Sequence, residues 1–152
     1  MKKTSLITLF VLLGACAMAQ QPIPPALYVD AADLSQSVEA TLAERINMGV
    51  GTVSTADDYR INLIHRTRAA TAIVHEVGTE LHYITAGGGT LVTGGIVVRP
   101  DPEGPGYIDG GLARKVSVGD AILIPRGTPH WYSSVDGSVT YLEVRFNTDE
   151  YP

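Results

Sequence analysis

Gly119-Asp120-Ala121-Ile122-Leu123-Ile124-Pro125-Arg126-Gly127-Thr128-Pro129-His130 is the stretch whose reading decides the fold. Gly119-Asp120 marks a turn, Ala121 to Ile124 make a short buried strand, and Pro125 to Pro129 form a second, stiffened turn. His130 opens the strand that follows. A rigid turn immediately before a histidine restricts where its imidazole can point, which suits a metal ligand.

The same alternation of strand and turn extends outward in both directions. Strands are expected at residues 60–65, 71–75, 80–85, 90–98, 114–118, 121–124, 130–134 and 138–146. They are punctuated by Gly87-Gly88-Gly89, by a long loop over residues 100–111 and by Asp136-Gly137. Many short strands at close spacing indicate an antiparallel sandwich or barrel. Ahead of them the period is helical. Leu34, Val38, Leu42 and Ile46 recur every four residues, Asp33 and Gln36 suggest a capping arrangement, and Gly49 a stop. The expectation is one helix near residues 33–46, then a β-barrel from about residue 50 to 146.

With 152 residues, 45% of them hydrophobic and 18% charged, the chain has room for one domain and enough apolar surface for a core. The net charge is −5 without a basic cluster, so nucleic acid, which needs cations along its phosphates, is excluded as a partner. The single cysteine, Cys16, excludes a disulfide framework and an all-cysteine metal cage. There is no nucleophile elbow, no P-loop and no dinucleotide fingerprint in a strand-to-helix context.

Lys2-Lys3, an apolar run from Leu6 to Leu13 and a small-residue exit have the layout of a signal peptide, and the run is too short to span a bilayer. Ala17-Met18-Ala19 fits cleavage after residue 19. Leu13-Gly14-Ala15-Cys16 instead has the form of a lipobox, with Cys16 as the lipid-anchored first residue of a chain that has lost residues 1–15. Either route exports the protein to the periplasm or beyond. The chain thus divides into a leader, residues 20–49 as linker and helix, and a barrel over residues 50–149.

The spacing G-x5-P-x-G-x2-H from Gly119 to His130 resembles the second motif of the cupin superfamily, with Ser134 where an Asn often follows. The first motif is matched in part. His75 is followed by Glu80 after four residues, and Glu80 by Gly87 after six. Ile73 stands where that motif has an earlier histidine, and Thr67 where it has a glycine. The resemblance covers roughly residues 58–146. It implies an all-β fold, the double-stranded β-helix or jelly roll, here with one short N-terminal α-helix. It also implies a homodimer and a divalent metal inside the barrel, but no single reaction.

His82 lies two positions beyond Glu80, so on a strand the two share a face, and His82 can stand in for the missing ligand. The candidate metal set is His75, Glu80, His82 and His130. It is a nitrogen and oxygen set that suits Fe, Mn, Ni, Zn or Cu, and one or two positions on a six-coordinate ion stay open for a small chelating molecule. Tyr132 and Ser134 alternate in phase with His130 and are expected to line the same cavity, whereas Trp131 faces away. His65 lies outside both motifs and reads as a packed or surface histidine. Arg66, Arg68 and Arg126 read as solvated, with an anionic substrate as the alternative. Three function classes follow: a metal-dependent enzyme, dioxygenase-like or isomerase-like; a non-catalytic small-ligand or metal-binding module of the cell envelope; and a metal-free barrel with a vestigial cluster.

Overall fold

The computed structural model describes residues 23–147, Ile46 excepted. The expected leader, Cys16 and the last apolar position of the expected helical stripe lie outside the described residues. Helix α1 runs over Ala31–Arg45. Eight strands follow: β1 Met48–Thr55, β2 Tyr59–Arg66, β3 Thr79–Thr93, β4 Ile96–Val98, β5 Tyr107–Asp109, β6 Leu112–Ser117, β7 Ala121–Ile124 and β8 His130–Phe146. The main sheet is antiparallel in the order β1-β2-β8-β3-β6, with β7 also on β3, and β4 and β5 form a separate pair. This is an all-β jelly roll with one short helix, and its hydrogen-bonded ladder does not close into a full barrel.

The helix cap lies three residues before the expected one. Asp30, not Asp33, is the N-cap, its Oδ1 accepting from the N–H groups of Ala32 (2.8 Å) and Asp33 (3.0 Å). Val38 is buried, with Leu34 and Leu42 half-buried beside it on the stripe. Gly49 is not the helix stop. It belongs to β1, a strand the sequence reading passed over, because its outer face is Gly49 and Gly51 rather than an apolar alternation. The glycines are there because the helix lies on them. A Cβ at Gly49 would come within 2.5 Å of the Val38 carbonyl oxygen, and one at Gly51 within 2.8 Å of Leu34 Cδ1. Thr41 Oγ1 then ties helix to strand by accepting from the Val50 N–H at 2.6 Å.

Two expected turns lie inside strands instead. Gly87-Gly88-Gly89 joins two expected strands into β3, whose register against β8 shifts at Ile84/Ala86, Gly87/Gly89 and Thr90/Leu91. Gly87 has φ 65°, and a Cβ there would collide with the Ser138 carbonyl oxygen. These bulges bend β3 and β8 without ending them. Asp136-Gly137 likewise sits within β8. Conversely, the expected strand at residues 90–98 breaks into the end of β3 and the separate β4. The expected loop at residues 100–111 carries β5, whose Ile108 is buried with Ala72 and Val92.

The main core joins Ile64, Ile84, Leu91, Val116, Tyr132, Val139 and Tyr141, drawn from β2, β3, β6 and β8. It fills one end of the interior and leaves the other end to polar side chains. No helix among the described residues is long and apolar enough to cross a membrane.

Candidate metal centre

Strand register alone sets the site out in rows. Thr55, Arg60, Arg145, Glu80 and Ile124 lie side by side across β1, β2, β8, β3 and β7. The next row inward is Thr52, Asn62, Glu143, His82 and Ile122, and the one after is Val50, Ile64, Tyr141 and Ile84. Directly paired residues share a face of the sheet, as do residues two apart on one strand. The interior therefore passes from a charged row, through a polar row, to an apolar one. His82 sits inside, as expected from its phase with Glu80; each is 1% exposed.

The second half of the site comes from the turns. Ile73 and His130 exchange backbone hydrogen bonds of 3.1 and 3.0 Å, and the Gly127 N–H donates to the His75 carbonyl at 2.8 Å. The Pro125 to Pro129 turn thus holds His75 next to His130. His75 is not on a strand as expected, since the segment at residues 71–75 makes only the isolated Ile73–His130 bridge.

The three expected histidine ligands gather on the fourth, the Glu80 carboxylate. Its Oε2 lies 3.2 Å from His82 Nε2 and 3.4 Å from His130 Nε2, and its Oε1 lies 3.2 Å from His75 Nε2. The donor atoms form two overlapping triads, His75–Glu80–His130 and Glu80–His82–Glu143, each spanning at most 4.8 Å and sharing Glu80. Glu143 was missed in the sequence. The signal for it was the alternation of Tyr141, Glu143 and Arg145, which places two charged groups on the inward face of β8.

Arg145 was missed too, and it changes the electrostatics. Its Nε donates to Glu80 Oε1 at 2.7 Å, Nη2 pairs with the same oxygen at 2.5 Å, and Nη2 is hydrogen-bonded to His75 Nε2 at 2.7 Å. A guanidinium only donates, so His75 Nε2 accepts there and the ring is neutral at that nitrogen. Burial pushes the Glu80 carboxyl upward. The hydrogen bond from His82 and the charges of His130, Arg145 and His75 outweigh it and hold the group at about 2. Burial lowers the pKa values of His75 and His130 and so favours their neutral forms, with the His75 Nε2 lone pair engaged by Arg145 and that of His130 free.

His130 supplies the test of fit. Its Nδ1 lies 3.1 Å from the Thr128 carbonyl oxygen, which only accepts, so Nδ1 carries the proton and Nε2 has a bare lone pair. That lone pair faces an anionic carboxylate oxygen at 3.4 Å. A cation or a proton between them would satisfy the His130 lone pair; the Glu80 charge favours the proton and burial, the larger effect, opposes it. A cavity of about 20 Å³, the size of one ion or water, touches His82, His130 and Glu143. The residues present fit a divalent ion.

Tyr132 lines this cavity as expected, with its hydroxyl 3.4 Å from His82 Nδ1, and burial raises its pKa so that it stays protonated. Ser134 does not line it. The register shift that pairs Leu91 with Tyr132 but Thr90 with Ser134 puts Ser133 in a bulge, which breaks the alternation and leaves Ser134 exposed. Trp131 turns to the smaller apolar cluster and donates from Nε1 to the Ala70 carbonyl at 2.6 Å. His65 lies on the opposite face of β2, with Nδ1 2.8 Å from Thr140 Oγ1. Arg66 is not simply solvated. Its Nε donates to the Tyr141 hydroxyl at 2.9 Å, and its guanidinium lies 5.8 Å from the centre of the Tyr132 ring.

No protein-family model and no curated protein matches the chain. Solved structures do. The DMSP lyase DddQ from Ruegeria pomeroyi DSS-3 aligns with TM-score 0.50 and 15% identity over 70% of this chain and 50% of that one. The structure of FeII HppE gives 0.52 and 14% over 66% and 50%. A putative mannose-6-phosphate isomerase from Ralstonia eutropha JMP134 gives 0.51 and 14% over 67% and 86%. The chain thus spans half the length of the first two. At such identities the likeness is one of fold. DddQ and HppE are cupin-superfamily structures. The likeness shows the fold: this chain has the cupin jelly roll.

Proposed function

We propose that the protein is an exported cupin that holds one divalent metal ion at the Glu80 cluster and presents it to a small molecule entering the cavity. The observation that carries the reading is the bare Nε2 of His130 set against the Glu80 carboxylate. His130, His82, His75 and Glu80 would hold the ion, with Glu143 beside it. When bound, the ion would polarise a chelating ligand as a Lewis acid. The chain's own residues do the rest. Thr128 fixes the His130 ring, Tyr132 orients His82, and Arg145 keeps Glu80 ionised. Glu143, hydrogen-bonded by Asn62 Nδ2 at 3.2 Å, is the carboxylate placed to take a proton from a bound molecule. Dioxygenase-like and isomerase-like chemistry both suit such a centre, and a homodimer is the assembly the cupin resemblance implies.

The Arg145–Glu80 pair favours a second reading, because it already neutralises the buried carboxylate. The protein is then a non-catalytic small-ligand module of the cell envelope with no resident metal. Metal analysis of protein purified from its own compartment separates the two. About one divalent ion per chain supports the first, and metal-free protein that binds a small ligand supports the second.

A further inference from the structure

Above the Glu80 cluster lies a larger cavity of about 400 Å³, and its lining is cationic. Four of the chain's eight arginines, Arg45, Arg60, Arg66 and Arg145, face it, with Glu143 as the only carboxylate among its lining residues. That is the opposite of the protein as a whole, whose net charge is −5. Register explains the concentration. Arg60, Asn62, Ile64 and Arg66 alternate along β2 and so present one face, and Arg60 sits directly across from Arg145. The four arginines are not equivalent. Arg145 is engaged by Glu80, and Arg66 by Tyr141. Arg45 and Arg60 are exposed at the cavity's edge, and neither has a side-chain hydrogen bond or ion pair among the described residues.

Asn62 adds an independent observation. It is 5% exposed, its Nδ2 donates to Glu143 Oε1, and its Oδ1 has no hydrogen-bond partner. The bond to the carboxylate fixes which end of the amide is which, so the unpartnered end is an acceptor. A buried carbonyl left without a donor costs free energy, which a ligand O–H would recover.

From these two observations we infer that the cavity binds a small hydroxylated carboxylate, with its carboxylate on Arg60 and Arg45 and a hydroxyl donating to Asn62 Oδ1. Guanidinium groups match carboxylates by paired hydrogen bonds, and a cationic cleft also draws anions in against the protein's overall charge. The inference rests on the metal reading only for the ligand's inner end, which lies beside the Glu80 cluster.

The test is calorimetric titration with malate, succinate, inorganic phosphate and glycerol, on metal-loaded and on chelator-treated protein. Malate is expected to bind both forms, several-fold more tightly than succinate, and glycerol not at all. Arg60→Gln, an exposed position, should weaken malate about tenfold, the loss of one charge-assisted hydrogen-bonding group, with metal content unchanged. Asn62→Leu should bring malate down to the succinate level, while Arg60→Gln keeps the preference for malate. Equal binding of glycerol, tighter binding of phosphate than of malate, or full malate affinity in an Arg45→Gln/Arg60→Gln double variant would overturn the inference. Malate binding by wild type that takes up no metal would sustain it while removing the metal reading.

Discussion

Arg145 and Glu80 face each other across β8 and β3, and the guanidinium meets a single carboxylate oxygen, Oε1, by a hydrogen bond from Nε and an ion pair with Nη2. The other oxygen, Oε2, is thereby left to His82 and His130. The carboxylate is thus divided: Oε1 meets Arg145 and His75, and Oε2 meets His82 and His130. Several consequences of that division can be measured.

Arg145→Met should destabilise the protein by about 3 kcal/mol, because it leaves Glu80 charged and buried without its cation. Urea unfolding reads the loss. Added divalent metal should restore part of it, since an ion on Oε2 supplies the missing positive charge. An Arg145→Met protein that unfolds at the wild-type midpoint with or without metal would show that the pair contributes nothing.

The acid limb of stability should fall in two stages. His75 and His130 have folded pKa values below their ordinary 6.5, so protonation favours the unfolded chain. Their contribution is present above pH 6.5 and is lost as pH falls below it. Glu80, held at about 2 against an ordinary 4.5, contributes above pH 4.5 and loses that contribution as pH falls from 4.5 toward 2. Denaturant midpoints measured from pH 8 to pH 2 should show both stages. Glu80→Gln should remove the lower one.

Gly51→Val should cost about 1–3 kcal/mol by driving helix α1 off β1, where Leu34 Cδ1 leaves no room for a Cβ. Metal content should not change, because the glycine is on the outer face. Thermal unfolding and metal analysis of the same preparation check both halves.

That prediction marks where the sequence could be read and where it could not. Period-2 alternation put His82 in phase with Glu80, and the stiff turn put His130 at a strand start; both follow from local geometry alone. The helix period was equally legible in Leu34, Val38 and Leu42. Strand β1 was hidden because Gly49 and Gly51 answer to a helix packed across them, a tertiary demand with no local signature. Ser134 was misplaced because a bulge at Ser133 shifts phase by one residue, and Gly87-Gly88-Gly89 reads the same whether it turns a chain or bends a strand. Arg145 and Glu143 lie over sixty residues from Glu80, and only the β3–β8 register joins them to it. Their inward phase follows from alternation along β8, whereas the partner strand has no local signature.

His82 and His65 form an internal contrast. Both are histidines on strands of the main sheet, one inside against Glu80 and one outside against Thr140. His82→Ala should lower metal occupancy severalfold, whereas His65→Ala should leave it at the wild-type value. Occupancy is read by elemental analysis after dialysis against a weak chelator. Equal occupancy in the two variants would remove His82 from the ligand set.

The most direct measurement is the metal content of wild type and His130→Ala, each purified from the compartment in which the protein naturally resides. The account predicts about one divalent ion per folded wild-type chain and a loss of at least tenfold in His130→Ala, with circular dichroism showing the same β-sheet content in both. Folded wild-type protein without metal, or a His130→Ala variant that keeps its ion, would contradict it.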